Sequence, residues 1–309
     1  MNFYSKIFAV AGLGLGLGMN PGTATAALLD YNLALTGNLT GAVHVEGMTF
    51  VGGNLVSTQM SEFNHKDYTP EGSFDGLEVA GNVSGQLKIM HGETAVYGTK
   101  DASAQIDCVG SVNCATGGVN LWATKTALSN ELASLTSSYQ GLAANAAAAV
   151  NGNQVKLKYT GTDELAIFSV NAADIFFQNS GIELDLGLAT KVVINVVGNI
   201  TVSNTNLNGN WNYSNTLWNF YTATAVDFGS MAVKGSVLAA NADVFNAAGF
   251  DGSLYAKSYT NSSLREVHGF FWKAPPVVDP HTSVPEPSIL VLLLAGLGLI
   301  GLGRLRRRQ

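Results

Sequence analysis

Histidine, cysteine, carboxylate and aromatic side chains are the groups that could carry chemistry in this chain, and their spacing offers little. The five histidines are His44, His65, His91, His268 and His281. No two stand four residues apart and no His-Glu-x-x-His occurs, so the helical zinc-ligand pattern is absent. No Gly-x-Ser-x-Gly elbow or P-loop is present either. Glu183 stands two residues from Asp185, and i and i+2 share a face on a strand. They form a candidate carboxylate pair, though solubilising charge is the plainer reading, as it is for Asp163-Glu164. Cys108 and Cys114 are the only cysteines; a disulfide closing a short loop is expected. Trp211, Tyr213 and Trp218 open an aromatic cluster that continues to Tyr221. Its rings could stack on sugars, although such clusters usually pack in a core. No catalytic residue, metal ligand or cofactor is assigned.

The clearest chemical signal marks the chain as a substrate. Val284-Pro285-Glu286-Pro287 leads into an apolar run from Ile289 to Gly303, and Arg304, Arg306, Arg307 and Arg308 follow. About 15 apolar residues reach about 22 Å as a helix, short of a hydrocarbon core of about 30 Å. Snorkelling arginines extend it to a marginal C-terminal transmembrane helix, with the body outside the inner membrane. This tail resembles the PEP-CTERM sorting signal of exopolysaccharide-producing Gram-negative bacteria. The resemblance implies an exosortase partner that removes the tail near Pro285-Glu286-Pro287. The Gly-x-Gly-x-x-Gly at Gly296 to Gly301 lies inside this tail, so it is no dinucleotide site.

The other end reads as a secretory signal peptide over residues 1–26. Lys6 gives the positive start, Ile7 to Met19 the apolar core, and Ala24-Thr25-Ala26 the small residues before a cut. The whole chain carries 16 basic and 22 acidic residues. Without Lys6, the four tail arginines and Glu286, the body is near −10 (about 11 basic against 21 acidic), which argues against nucleic acid as a partner.

The body, residues 27–272, is written in short β-like runs cut by glycine. Gly37-Asn38-Leu39, Gly53-Asn54-Leu55, Gly81-Asn82-Val83 and Gly198-Asn199-Ile200 share one signature. Gly235-Ser236-Val237-Leu238-Ala239 recurs 17 residues on as Gly252-Ser253-Leu254-Tyr255-Ala256. Repeated short strands with Gly-Asn corners predict a solenoid whose rungs stack, with asparagines bonding between rungs. One stretch, about 121–150, has a helical stripe through Leu121, Leu128, Leu132, Leu135, Tyr139, Leu142 and Ala146. It predicts one long amphipathic helix packed along the β body and ended by Gly152-Asn153. Residues 273–283 form a Pro-rich linker, and 284–309 the sorting tail.

The body resembles the choice-of-anchor A family of adhesive domains. The resemblance rests on Tyr31 to Leu39, Val45-Glu46-Gly47 with Gly52-Gly53-Asn54, Val193 to Val196, Trp218-Asn219-Phe220 and Gly235 to Ala242. Ala240 stands where the family pattern has proline. The resemblance implies a mainly β fold, a right-handed parallel β-helix with a long helix alongside, and no catalytic residues. The expected function is an exported, exosortase-processed surface or matrix protein. It would be adhesin-like and contact exopolysaccharide or neighbouring cells at many points. A polysaccharide-active enzyme, which would need charged groups aligned on adjacent rungs, and a purely structural envelope protein are the alternatives. Outside the predicted helix, Thr160-Gly161-Thr162 and Thr222-Ala223-Thr224 are the body's Thr-x-Thr units, too few for the threonine ranks of an ice-binding face.

Overall fold

The computed structural model describes residues 28–66, 75–201 and 204–273. Its strands stack as rungs of a three-walled solenoid, paired in parallel except for one antiparallel hairpin. Glycine and asparagine punctuate the text every few residues, so most strands are short, and the two longest, Ser236–Asn246 and Leu254–His268, contribute to more than one wall through shifts of register. Three walls result. The first passes in register through Val192, Thr216 and Ser236–Ala239, then Leu254, Leu33, Thr49, Leu77, Ala95 and Ala115. The second stacks Val226, Val244, Tyr259, Leu39, Leu55 and Val83. The third stacks Phe250, Val267, Val45, Phe63, Ile89 and Cys108. The two copies of the 17-residue repeat lie side by side, Val237 against Leu254 and Ala239 against Ala256.

The rungs do not stack in simple chain order. The first-wall strand at Leu33–Leu35 is sandwiched between Leu254–Ala256 and Thr49–Val51. The amino-terminal rungs therefore climb from a central seam to one end, at Ala115–Gly117. The chain then restarts at the opposite end and winds back to the seam. The helix Trp122–Gln140 makes the return journey. Its 19 residues rise about 28 Å, the height of about six rungs at about 4.8 Å.

This helix stops ten residues short of the predicted 121–150. Gly141 follows it, a poor helix residue. Two carbonyls near its end are taken by the first wall: Asn219 Nδ2 donates to Thr136 O at 3.0 Å and Asn195 Nδ2 to Tyr139 O at 2.8 Å. Tyr139 carries one of the four carbonyls that a helix end leaves without an intrahelical partner, and Thr136 lies just before them, so the sheet ties down the last turn. The predicted last turns instead form Ala147–Asn151, an antiparallel arm of a hairpin with Gln154–Lys158. Gly152, read as a helix stop, is the hairpin turn at φ +55°. The predicted tail helix, with Val284 to Pro287 and the arginines, and the signal peptide with Ala24 and Ala26, lie outside the described residues. Among the described residues no helix is long and apolar enough to cross a membrane.

Two apolar layers hold the body together. The solenoid interior is filled by inward residues of all three walls, among them Leu33, Val45, Phe63, Ile194, Trp218 and Phe250. Outside the first wall, Ala34, Phe50, Leu217, Leu238 and Tyr255 meet Leu128, Leu132 and Tyr139 of the helix. The Gly-Asn corners form a ladder: Asn38 Oδ1 accepts from Asn54 N at 2.8 Å and Asn54 Oδ1 from Asn82 N at 2.9 Å. A Cβ at Gly53 or Gly81 would overlap the asparagine oxygen of the rung beside it, which explains why glycine precedes each asparagine.

One carboxyl is trapped beside the helix layer. Glu78 is 7 % exposed, and the Tyr31 hydroxyl donates to it at 3.2 Å. Burial, helped by the charge of Asp75 and opposed by the Tyr31 hydrogen bond, pushes its pKa from 4.5 to about 7. The folded chain therefore holds this proton more tightly than the unfolded chain. Stability falls as pH rises through 4.5 to 7, and the loss persists above that window. The shift corresponds to about 3 kcal/mol. Glu78→Gln should thus be about 2 kcal/mol more stable than the parent at pH 8 and nearly equal to it at pH 4. Urea unfolding at the two pH values checks this; a difference independent of pH would refute it.

Candidate functional site

The outer side of the third wall carries the densest set of titratable groups. On each rung a charged residue directly precedes a buried one, so the first points out where the second points in. The outward residues align in register as Glu266, His44, Glu62, Lys88 and Asp107. Acid and base alternate along this rank, and each neighbour is about 4.8 Å away. A second, shorter rank runs through Lys234, Asp251 and His268.

Two compact groups stand out on this wall. In the first, His44 and His65 lie with rings nearly parallel, centroids 5.5 Å apart and 13° between planes. His65 Nδ1 is 2.9 Å from Glu62 Oε2, while Lys88 Nζ donates to Glu62 Oε1 at 3.2 Å. Partial burial works against the Glu62 charge. The Lys88 hydrogen bond, the His44 and Lys88 charges and the His65 contact outweigh it and hold the carboxyl below its usual range. One donor atom from each of His44, Glu62 and His65 falls within 4.8 Å of the others.

The second group, Glu46, Glu266 and His268, meets the same distance test but is already fully engaged. His268 Nδ1 is 2.6 Å from Asp251 Oδ1 and its Nε2 is 2.7 Å from Glu266 Oε2. Burial disfavours its charge, yet the two carboxylate hydrogen bonds prevail and raise its pKa. Glu46 is buried, with Lys66 Nζ 2.5 Å from Oε1 and Gly269 N donating to Oε2 at 2.8 Å. Burial is outweighed there too, by Lys66, Gly269 and the His268 charge, so its pKa is lowered. This group is an ion network closing the last rung.

The residues singled out in sequence are scattered. Trp218 is 2 % exposed and Trp211 7 %, and the two rings stack at 5.6 Å. Trp218 Nε1 donates to Lys234 O at 2.9 Å, and Trp211 Nε1 to Asn208 O at 2.7 Å. Trp218 therefore offers no face to a sugar. Tyr213 is half-buried against Phe270 and, with the edge of Trp211, lines an open depression of about 450 Å³. Cys108 and Cys114 form a disulfide, Cα atoms 5.8 Å apart, at the outermost rung of the third wall. Glu183 and Asp185 do share a face, where Lys156 and Lys158 of the adjacent strand lie within 3.9 Å of them. Sequence spacing hides the histidine group, because His44 lies far along the chain from Glu62 and His65. The usable signal was the recurring charged–apolar pair: Glu266-Val267, His44-Val45, Glu62-Phe63, Lys88-Ile89 and Asp107-Cys108.

The second wall presents a different surface. Its outward rank is Asp227, Phe245, Thr260, Thr40, Val56 and Ser84, flanked by the asparagine ladder. Neither of the two Thr-x-Thr units outside the helix lies in a strand: Thr160 to Thr162 and Thr222 to Thr224 are in loops.

The family described as "Putative Ice-binding-like adhesive domain" matches residues 24–269. A second family, the PEP-CTERM protein-sorting motif, matches residues 283–308. Among curated proteins, none matches the chain. The ice-binding protein of the Antarctic ascomycete Antarctomyces psychrotrophicus is similar at 14 % identity and a TM-score of 0.35, over 78 % of this chain and 95 % of that one. An ice-binding protein from an Antarctic biological consortium is similar at 10 % and 0.32, over 80 % and 89 %.

Proposed function

The chain belongs to the ice-binding-like adhesive domain family and ends in a PEP-CTERM sorting motif, and from that premise we propose how it works as an exported, adhesin-like surface protein. The sorting motif makes it an exosortase substrate, held at the inner membrane by its tail before processing. The narrower choice-of-anchor A resemblance, carried by the motif segments quoted above, agrees with this reading. Its adhesive element is the outer face of the second wall, acting on exopolysaccharide. The observation that carries this is the regular array on that face. Amides and hydroxyls of Asn38, Asn54, Asn82, Thr40, Ser84 and Thr260 repeat once per rung, with Val56 exposed among them. Such an array hydrogen-bonds sugar hydroxyls wherever a chain lies across it. Many weak contacts then add through effective concentration rather than through one specific pocket. A mixed rank of this kind lacks the uniform threonine order expected of an ice face.

An enzymatic reading has one observation in its favour, the charged rank aligned on adjacent rungs of the third wall. Glycoside hydrolysis needs one carboxyl kept protonated near neutral pH beside one kept ionised. Glu62 and Glu46 are both held below the usual carboxylate range by their basic partners. That arrangement favours a charge network over an acid–base pair.

The test is co-sedimentation of the processed protein with the host's own exopolysaccharide. Val56→Glu with Ser84→Glu, both on the exposed rank, should weaken binding about tenfold or more by breaking the array. Equal binding by the variant would remove the second wall as the adhesive face. New reducing ends in the polysaccharide would overturn the non-enzymatic reading.

A further inference from the structure

We propose that His44, His65 and Glu62 form a surface site for one divalent transition-metal ion of the zinc type. The adhesive reading is not a premise of this site. Its donors come from two adjacent rungs of the third wall, His44 opposite Glu62, with His65 just beyond the strand end. Two imidazoles and one carboxylate are the donor set that zinc and its neighbours favour. Calcium wants six to eight oxygens, and this trio offers one carboxylate.

Geometry separates this trio from the other charged groups. Ligand atoms around a tetrahedral ion at about 2.1 Å lie about 3.4 Å apart. The three donors already fall within 4.8 Å of one another, so small side-chain rotations close the site. His65 Nδ1 and Glu62 Oε2 stand 2.9 Å apart. Among the described residues neither ring nitrogen of His44 takes a hydrogen bond, so no existing partner must be displaced there. Lys88 grips the remaining oxygen of Glu62 at 3.2 Å, which fixes the carboxylate as outer-shell partners do at metal sites. The neighbouring trio of Glu46, Glu266 and His268 lacks this freedom, since both nitrogens of His268 and both oxygens of Glu46 are engaged. Three protein ligands leave a tetrahedral ion one vertex facing solvent. On an exposed wall that vertex is open to water or to a ligand from outside.

Equilibrium dialysis of the full-length chain in mild detergent, against Zn2+ with excess Ca2+ present, tests the assignment. One ion per chain is expected to bind saturably. His44→Ala and His65→Ala should each weaken binding about tenfold or more, and Glu62→Gln should weaken it too. Co2+ in place of Zn2+ should give the visible absorption of a four-coordinate site, lost in His44→Ala. All three substitutions lie at the solenoid surface, and unchanged far-UV circular dichroism confirms that each variant is folded. His268→Gln should bind as the parent does. Saturable binding no greater than that of the His44→Ala/His65→Ala double variant would overturn the proposal. So would loss of binding in His268→Gln with retention in His44→Ala, which would place the ion on the Glu46 network.

Discussion

Replacing Pro285, Glu286 and Pro287 together with alanine is expected to leave essentially all of the protein as an unprocessed precursor with the cell membranes. The three residues lie within the matched sorting motif, residues 283–308. They also lie beyond Trp272, a core residue packed on the helix layer and bonded through Nε1 to the Tyr139 hydroxyl at 2.9 Å. The substitution therefore changes what the processing enzyme reads while leaving every residue of the two apolar layers as it is. Immunoblots of membrane, surface and medium fractions measure the effect, and thermal unfolding of the extracted precursor serves as the control. Normal maturation of the triple variant would end the sorting claim. A parallel fall in melting temperature would instead show that the tail contributes to the fold. The effect is large because recognition by another enzyme is all or none, whereas contacts within the solenoid are many and shared.

The parts of this fold that were legible in sequence are those carried by neighbours along the chain. The 17-residue echo of Gly235 to Ala239 places Val237 against Leu254, because adjacent rungs of similar text pair in register. The Gly-Asn corners announced the ladder from Asn38 to Asn82, since both residue types are required by the same close approach. The helix start was legible from its stripe, but its end was not. Asn195 and Asn219, which bond carbonyls of its last turn and the residue before it, lie on strands about 60 to 80 residues further along. The seam between Leu33 and Leu254 spans about 220 residues, and nothing local marks one short strand as the partner of another so distant. The metal-type cluster is obscured for the same reason. Glu62 and His65 are close in sequence, but His44 joins them only through the strand register. Charged–apolar pairs at successive rungs recorded that wall all along. They become readable once the solenoid is granted, because every outward residue then has an outward neighbour.

Trp218→Ala is expected to be the most damaging single substitution in the body. Its ring sits in the solenoid interior with Trp211 at 5.6 Å, Phe176 at 5.6 Å and Phe220 at 6.4 Å. The aromatic line continues from Phe220 to Phe228 and on to Phe250, so the side chain is one link in a stack that crosses several rungs. Removing a buried tryptophan costs about 3 to 5 kcal/mol through lost burial and the cavity left behind. The carbonyl of Lys234 also loses its donor. In a stacked array each rung is stabilised mainly by its neighbours, so the loss falls on Ile194 on one side and Val237 on the other. For a domain of this size the melting temperature should fall by about 10 °C or more. Tyr213→Ala supplies the contrast. Tyr213 is half-buried at an open depression, and its loss should cost about 1 kcal/mol or less. Differential scanning calorimetry of the two variants, followed by polysaccharide binding at a temperature where both are folded, separates core from contact. A Trp218→Ala protein that melts within about 2 °C of the parent would show that the ring is not a structural link. Loss of binding without loss of stability in that variant would return Trp218 to the role of a sugar platform.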